Sequence, residues 1–412
     1  MIMYRQQLPW RANYDETMVP PFQLPDPLVS VSGSPIRTTA QWEENRPALL
    51  ETFRRFMYGR RLPRPDKVKY TLLHEKKDAL DGLALMQQIE MEFSMADGRS
   101  HKAVMLLFIP AGASGPVPVF TGLTFHGNHV VCDDPEILIT GCAIEGSGQL
   151  ERTRGFQSRR FPLKELMAKN FALAVASYHD FFPDSFYAWH KSVLPLFLSE
   201  EELKHQPRPE NVSATGVWAW GLSRMLDCLE TLPGIDSSKA AVFGHSRLGK
   251  TALWAGAEDT RFKLVCVNDS GCGGAAPSRR LYGETLFAMC RTPAGFGNYW
   301  FSQKVKELCL TPELFPVDQH QLIALIAPRC VAVHSATEDQ WADPRGEYMS
   351  LYKASPVFKL YGKKTLISAT PPKPDTPVGS DMSYFLRTGK HDILAADWQC
   401  YMEVFNHALK QK

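Results

Sequence analysis

The 412-residue sequence has no C-x-x-C pair, no apolar run long enough to span a bilayer, and almost no net charge. Each absence removes something. The nine cysteines are scattered, several inside apolar runs such as "KLVCVND" and "APRCVAV", so most read as reduced core residues, and the odd count leaves at least one unpaired in a monomer. A formal net charge of +2 gives no electrostatic case for nucleic acid or an anionic membrane as partner. The opening "MIMYRQQLPWRANYDE" lacks the apolar stretch of a signal peptide, so the chain reads as cytoplasmic or as written without its export segment. Internal repeats and low-complexity segments are also missing. What is present, 44% hydrophobic and 22% charged residues, is the composition of a soluble globular protein with a substantial core.

Proline punctuates "VPPFQLPDPLVSVSGSP", which predicts an extended arm over residues 1–38. A helical pattern covers Thr39 to Met57, and the alternation in "KVKYTLLHE" and "ALMQQIEMEF" predicts antiparallel strands. From about residue 103, short apolar runs recur before polar turns, as in "AVMLLFIP", "FALAVASYHD", "AAVFGHS", "KLVCVNDS", "CVAVHSA" and "SYFLRTGKHD". Helical patterns between several of them, notably "TGVWAWGLSRMLDCLETL" and "RLGKTALWAGAEDTRF", imply a mostly parallel, doubly wound sheet. Polar excursions near residues 127–162 and 180–212 read as insertions over the sheet's functional edge, within one domain spanning 1–412.

The stretch "VFGHSRLGKT" fits two incompatible motifs. From Gly244 it matches the phosphate-cradling G-x-x-x-x-G-K-[ST], with Asp269 able to pass for a magnesium-holding acid. Around Ser246 it reads as a strand-to-helix turn presenting a nucleophile. A phosphate cradle works through consecutive backbone N–H groups around small residues, and His245, Ser246, Arg247 and Leu248 are bulky for that. The nucleophile alternative also accounts for what lies downstream. In an α/β-hydrolase the acid and the histidine follow the serine, each after a later strand, and here Asp339 follows "CVAVHSATE" and His391 follows "SYFLRTGK". One departure is that the second glycine comes a place late, in G-H-S-R-L-G, so Leu248 occupies a position that usually needs a small side chain.

"GHSRLGK", "NDSGCGGAA", "LYGET", "EDQWADPRGE" and "GKHD" together resemble, in order, the blocks of the glucuronoyl esterases, carbohydrate esterase family 15, over about residues 40–409. The resemblance implies an α/β-hydrolase fold, a three-layer αβα sandwich, and a serine esterase that cleaves esters of glucuronic acid linking xylan to lignin alcohols. It implies Ser246 as nucleophile, His391 as base and Arg247 at the oxyanion. Lys250, Glu284 and Trp341 match the positions that hold the glucuronate, a role that suits hydroxyl-bonding side chains and an indole face. Two aspartates compete to orient the histidine: Asp339, favoured by its place in the hydrolase order, and Asp269, 23 positions after Ser246, which matches the fungal-type site. His245 stands where fungal members have a disulfide-bonded cysteine, so the bacterial branch is the nearer match.

Other features carry less. "FHGNH" resembles a loop that donates a second oxyanion N–H, and His126, His129, His179 and Asp180 read as loop residues near a cleft rather than a metal site. Trp218 and Trp220 read as core, and the arginines of "ERTRGFQSRR" as a solvated loop. The expectation is a monomeric ester hydrolase without metal or cofactor, acting on a glucuronoxylan or lignin-carbohydrate ester outside the cytoplasm by resemblance. Alternatives are an acetyl xylan esterase or other carboxylesterase, a P-loop nucleotidase and an inactive carbohydrate-binding relative.

Overall fold

The computed structural model describes residues 12–141, 154–185, 188–204, 211–291 and 297–411. Its strands are β1 (Lys67–Asp78), β2 (Ala84–Ser94), β3 (Ser100–Pro110), β4 (Val117–Thr124), β5 (Ala172–Ser177), β6 (Ile235–His245), β7 (Phe262–Asn268), β8 (Cys330–Ala336), β9 (Val378–Gly379) and β10 (Met382–Arg387). They form one sheet in the order β1-β2-β3-β5-β4-β6-β7-β8-β10-β9. The run β5-β4-β6-β7-β8-β10 is parallel throughout. At one side β1, β2 and β3 form an antiparallel meander that joins β5, also antiparallel. Thus "AVMLLFIP", grouped from its texture with the parallel strands, belongs instead to the meander. The short link after β2 carries no crossover helix, and without one the chain can only turn back beside its own strand.

The turn from β1 to β2 uses two left-handed residues, Leu80 (φ 56°) and Asp81 (φ 62°), the backbone twist that matches a tight hairpin.

Helices cover both faces. On one lie α1 (Thr39–Phe53), α2 (Ala214–Leu229), α3 (Arg247–Glu258) and α4 (Pro344–Leu360); on the other lies α5 (Ala395–Leu409). Strand side chains divide accordingly. Val265 and Val267 enter the first core, whereas Leu264 and Cys266 enter the second, the two-residue period of a sheet buried on both sides. The mostly parallel, doubly wound sheet is the one expected from the strand and helix pattern, and the three layers are those that the resemblance to an α/β-hydrolase implies. α2 is buried almost all round, which explains its mostly apolar sequence. Its Trp218 and Trp220 indoles are core residues whose N–H groups donate to the carbonyls of Phe182 (2.8 Å) and Pro63 (2.9 Å).

The predicted first helix is observed as α1 followed by one wide turn, Arg54–Tyr58, which stacks Tyr58 on Trp254 with ring centroids 4.5 Å apart. The described part of the N-terminal arm runs back over the C-terminal edge of the sheet. There the Gly283 N–H donates to Asn13 O (2.8 Å), and Glu16 pairs with Arg280 and Arg345.

Candidate active site

The parallel strands end at one edge of the sheet, the usual place for a site in such folds. Between β6 and α3 sits Ser246, at φ 59° and ψ −129°, a conformation a non-glycine residue adopts only under constraint. Two contacts impose it. The Ser246 N–H donates to Asn268 O on β7 (2.9 Å), and Gly244 lies so close to the returning chain that a Cβ there would stand 1.9 Å from Leu248 O. Leu248 does not need to be small, because the close helix–strand approach falls at Gly249, where a Cβ would come within 2.9 Å of Asn268 O. Leu248 points into the core instead. The late glycine of G-H-S-R-L-G is therefore the one that the packing requires.

The same geometry is incompatible with a phosphate cradle. The Ser246 N–H is bonded to the sheet, and Lys250 Nζ donates to Ser270 O (2.6 Å), Cys272 O (2.7 Å) and Glu284 Oε2 (2.5 Å), taking up every N–H of the ammonium within the protein.

His391 lies on the loop after β10, and one guanidinium holds that loop in shape. Arg387 donates to the carbonyls of Thr388 (3.1 Å), Lys390 (2.7 Å) and Asp392 (2.8 Å), and is itself fixed by Asp397 (3.0 Å). His391 Nδ1 meets Asp339 Oδ2 at 2.5 Å. With Asp339 ionised, that nitrogen carries the proton, and Nε2 is left as the basic nitrogen. His245 packs behind the imidazole, ring centroids 4.4 Å apart, and fills the place that resemblance gives to a disulfide. Burial, then the neighbouring His391, drives the His245 pKa well below its ordinary value, so the supporting ring is neutral.

Asp269 is also close: one ligand atom each from Asp269, Asp339 and His391 lie within 4.8 Å of one another. Its hydrogen bond, however, comes from the Asp392 N–H (3.2 Å). Burial first, then the charges of Glu347, Asp339 and Asp397, push its pKa well above the usual carboxylate range. Of the two candidate acids, one is engaged with the imidazole and the other favours its neutral form.

Arg247 begins α3. Its guanidinium donates to Asp184 and lies against the rings of Trp300 (4.6 Å) and Phe125 (5.8 Å). Glu284 receives Lys250, and its backbone N–H donates to Trp341 O (2.7 Å), so Lys250, Glu284 and Trp341 form one connected wall. Trp341 is 39% exposed. Tyr14 of the arm stands over Tyr282, rings edge to face at 6.2 Å, and near enough to Asp339 for that charge, after burial, to raise its pKa.

The remaining loop residues divide. His126 is exposed near Arg247, while His129 is buried. His179 Nδ1 accepts the Asp184 N–H (3.1 Å), and Asp180 accepts backbone N–H groups of Val104 (3.2 Å) and Gly141 (3.0 Å). Asp180 is thus a backbone anchor. Part of "ERTRGFQSRR" lies outside the described residues, but its last two arginines are not merely solvated. Arg159 (2.5 Å) and Arg160 (2.6 Å) pair with Asp392, whose largely buried carboxylate beside His391 needs cations. The eight cysteines among the described residues are free thiols.

Sequence reasoning passed over Asp184, Glu347 and Tyr14. Fully buried Glu347 accepts from Ser270 N–H (2.8 Å), Ser270 Oγ (2.6 Å), Gly271 N–H (3.0 Å) and Ser335 Oγ (2.7 Å). It closes the block "EDQWADPRGE", but its partners are distant in sequence, so only the fold reveals it.

A family profile described as "Glucuronyl esterase, fungi" matches residues 207–362. Carbohydrate esterase MZ0003, from an unknown prokaryotic organism, is 38% identical over 406 residues, covering 96% of this chain and 91% of that protein. A glucuronoyl esterase structure from Solibacter usitatus superposes with a TM-score of 0.87 at 36% identity, over 95% of this chain and 100% of the other. A structure titled as a promiscuous CE15 esterase from a marine bacterial metagenome gives 0.86 at 36% identity, over 97% and 100%. Likeness of this extent in both sequence and fold makes the chain a member of the glucuronoyl esterases, carbohydrate esterase family 15.

Proposed function

We propose that the protein hydrolyses esters of glucuronic acid, including the 4-O-methyl sugar, through a serine acyl-enzyme. The observation that carries this is the conjunction of a strained Ser246, a histidine bonded to Asp339 and the Lys250–Glu284–Trp341 wall at one edge of the sheet. Ser246 Oγ attacks the ester carbonyl carbon while His391 Nε2 takes its proton. The oxyanion forms beside the Arg247 N–H and guanidinium at the positive end of α3. Collapse breaks the bond to the alcohol, which leaves with the proton from His391, and Asp339 stabilises the imidazolium in between. Water then repeats the sequence on the acyl-enzyme and frees the uronic acid. Glu284, fixed by Lys250, offers Oε1 to a sugar hydroxyl, and Trp341 covers the ring face. Lys250 acts through Glu284, since its own donors are already engaged.

The chain works as one catalytic domain and as a monomer. Its substrate lies in a polymer too large to enter a cell, so action in the periplasm or outside the cell fits it. Among the described residues, no helix is long and apolar enough to cross a membrane.

The discriminating experiment compares methyl glucuronate with 4-nitrophenyl acetate for the wild type and for Glu284→Ala/Trp341→Ala. The expected result is a wild-type preference for the glucuronate that the double variant loses, with hydrolysis of the acetate retained. A wild type without that preference would be a carboxylesterase that does not recognise the uronate, and a preference retained by the double variant would assign the recognition to other residues.

A further inference from the structure

Asp184 follows Pro183 in the polar excursion after β5, yet its side chain is only 6% exposed. Oδ2 accepts from Tyr178 Oη (2.9 Å) and from Arg247, and Oδ1 accepts from Tyr299 Oη (2.7 Å) and Trp300 Nε1 (2.8 Å). Both oxygens are filled by side chains from separate parts of the chain. The two phenols and the indole are neutral donors that a neutral acceptor would satisfy; only the guanidinium calls for a charge there. A buried ion pair contributes little to net stability, because desolvation offsets most of the attraction, so its effect is better sought in geometry. Arginine has a long, rotamer-rich side chain, and a donor stabilises a developing charge most when it is fixed in advance.

We propose that Asp184 is a positioning residue for the reaction, holding the Arg247 guanidinium, against Trp300, at the place where the oxyanion develops. The inference rests on the oxyanion role given to Arg247 above. It has a second consequence. The product is itself a carboxylate, and a guanidinium already matched to Asp184 retains that anion less than a lone one does.

The test is a mutant cycle of Asp184→Asn, Arg247→Ala and the double variant. It is read as kcat and KM on methyl glucuronate and on 4-nitrophenyl acetate, with inhibition by free glucuronate and thermal midpoints measured alongside. Arg247→Ala should lower kcat by about a hundredfold on both esters. Asp184→Asn should lower it by roughly tenfold or more with KM little changed, and the double variant should match Arg247→Ala within about twofold. Glucuronate should inhibit Asp184→Asn at lower concentration than it inhibits the wild type. Multiplicative losses in the double variant, or a lower thermal midpoint with kcat unchanged, would overturn the proposal.

Both esters pass through the same kind of oxyanion, so a wild type that prefers acetate removes the substrate assignment and leaves the cycle readable. Inactivity of the wild type on both esters removes both. Should Asp184→Asn fail to fold, Tyr299→Phe removes one donor from Oδ1 and keeps the ion pair. A severalfold loss of kcat that vanishes in the Arg247→Ala background supports the proposal, and a loss that persists there contradicts it.

Discussion

At the residue scale, two aspartates beside one histidine differ in what they bond. Asp339 bonds the imidazole, whereas the pKa of Asp269 is pushed upward by burial and by the charges around it. Asp269→Asn therefore replaces a group that favours its neutral form by a near-isostere, and kcat/KM should stay within about fivefold of wild type. Asp339→Asn removes the charge that stabilises the imidazolium, with an expected loss of about a thousandfold or more. Steady-state kinetics on both variants checks this pair. Sequence order alone favoured Asp339 but could not decide, since each aspartate follows an apolar strand and both are buried; what separates them is the partner, the His391 ring for Asp339 and the Asp392 N–H for Asp269.

Glu347 gives a second test, of stability. Burial raises its pKa from 4.5 to about 7, even though the four hydrogen bonds it accepts act to lower it. The folded chain then holds a proton that the unfolded chain releases, so stability falls as pH rises from about 4.5 to about 7, by roughly 3 kcal/mol for this group. Urea denaturation at pH 5 and pH 7.5 should show that loss in the wild type and a much smaller one in Glu347→Gln. Its amide can still accept from Ser270 and Gly271 and donate to Ser335.

At the element scale, the functional side chains sit on turns made rigid by neighbouring elements: Ser246 by β7, His391 by Arg387, and the segment before Glu284 by the N-terminal arm. The proline-rich arm was legible as extended chain, but nothing local in it signals that Asn13 and Glu16 tie down residues 280–283. Removing residues 1–18 should raise KM for the glucuronate ester severalfold, up to about tenfold, and leave kcat within about twofold, because the wall loosens while the serine turn and histidine loop keep their supports. A fall in kcat with KM unchanged would place the arm's effect on the reacting groups instead. Ser246 and its helix were readable for the opposite reason: the turn, the apolar strand and the helical pattern lie in one continuous stretch.

At the scale of the whole molecule, the parallel half of the sheet follows from its alternation of apolar strands and helices, since a strand buried on both faces must be apolar throughout. The placing of β3 did not follow, because a fully buried antiparallel strand has the same composition. Asp184 was equally invisible, as one carboxylate among many in a polar excursion, until the fold brought Tyr178, Tyr299, Trp300 and Arg247 around it.

The serine chemistry and the recognition of the uronate can be tested together. The most direct measurement is the rate of acid release from benzyl glucuronate beside 4-nitrophenyl acetate, for the wild type and Ser246→Ala. The expected result is a strong preference for the glucuronate in the wild type and loss of both activities in the variant. Wild-type preference for acetate, or glucuronate hydrolysis that survives in folded Ser246→Ala, would contradict it.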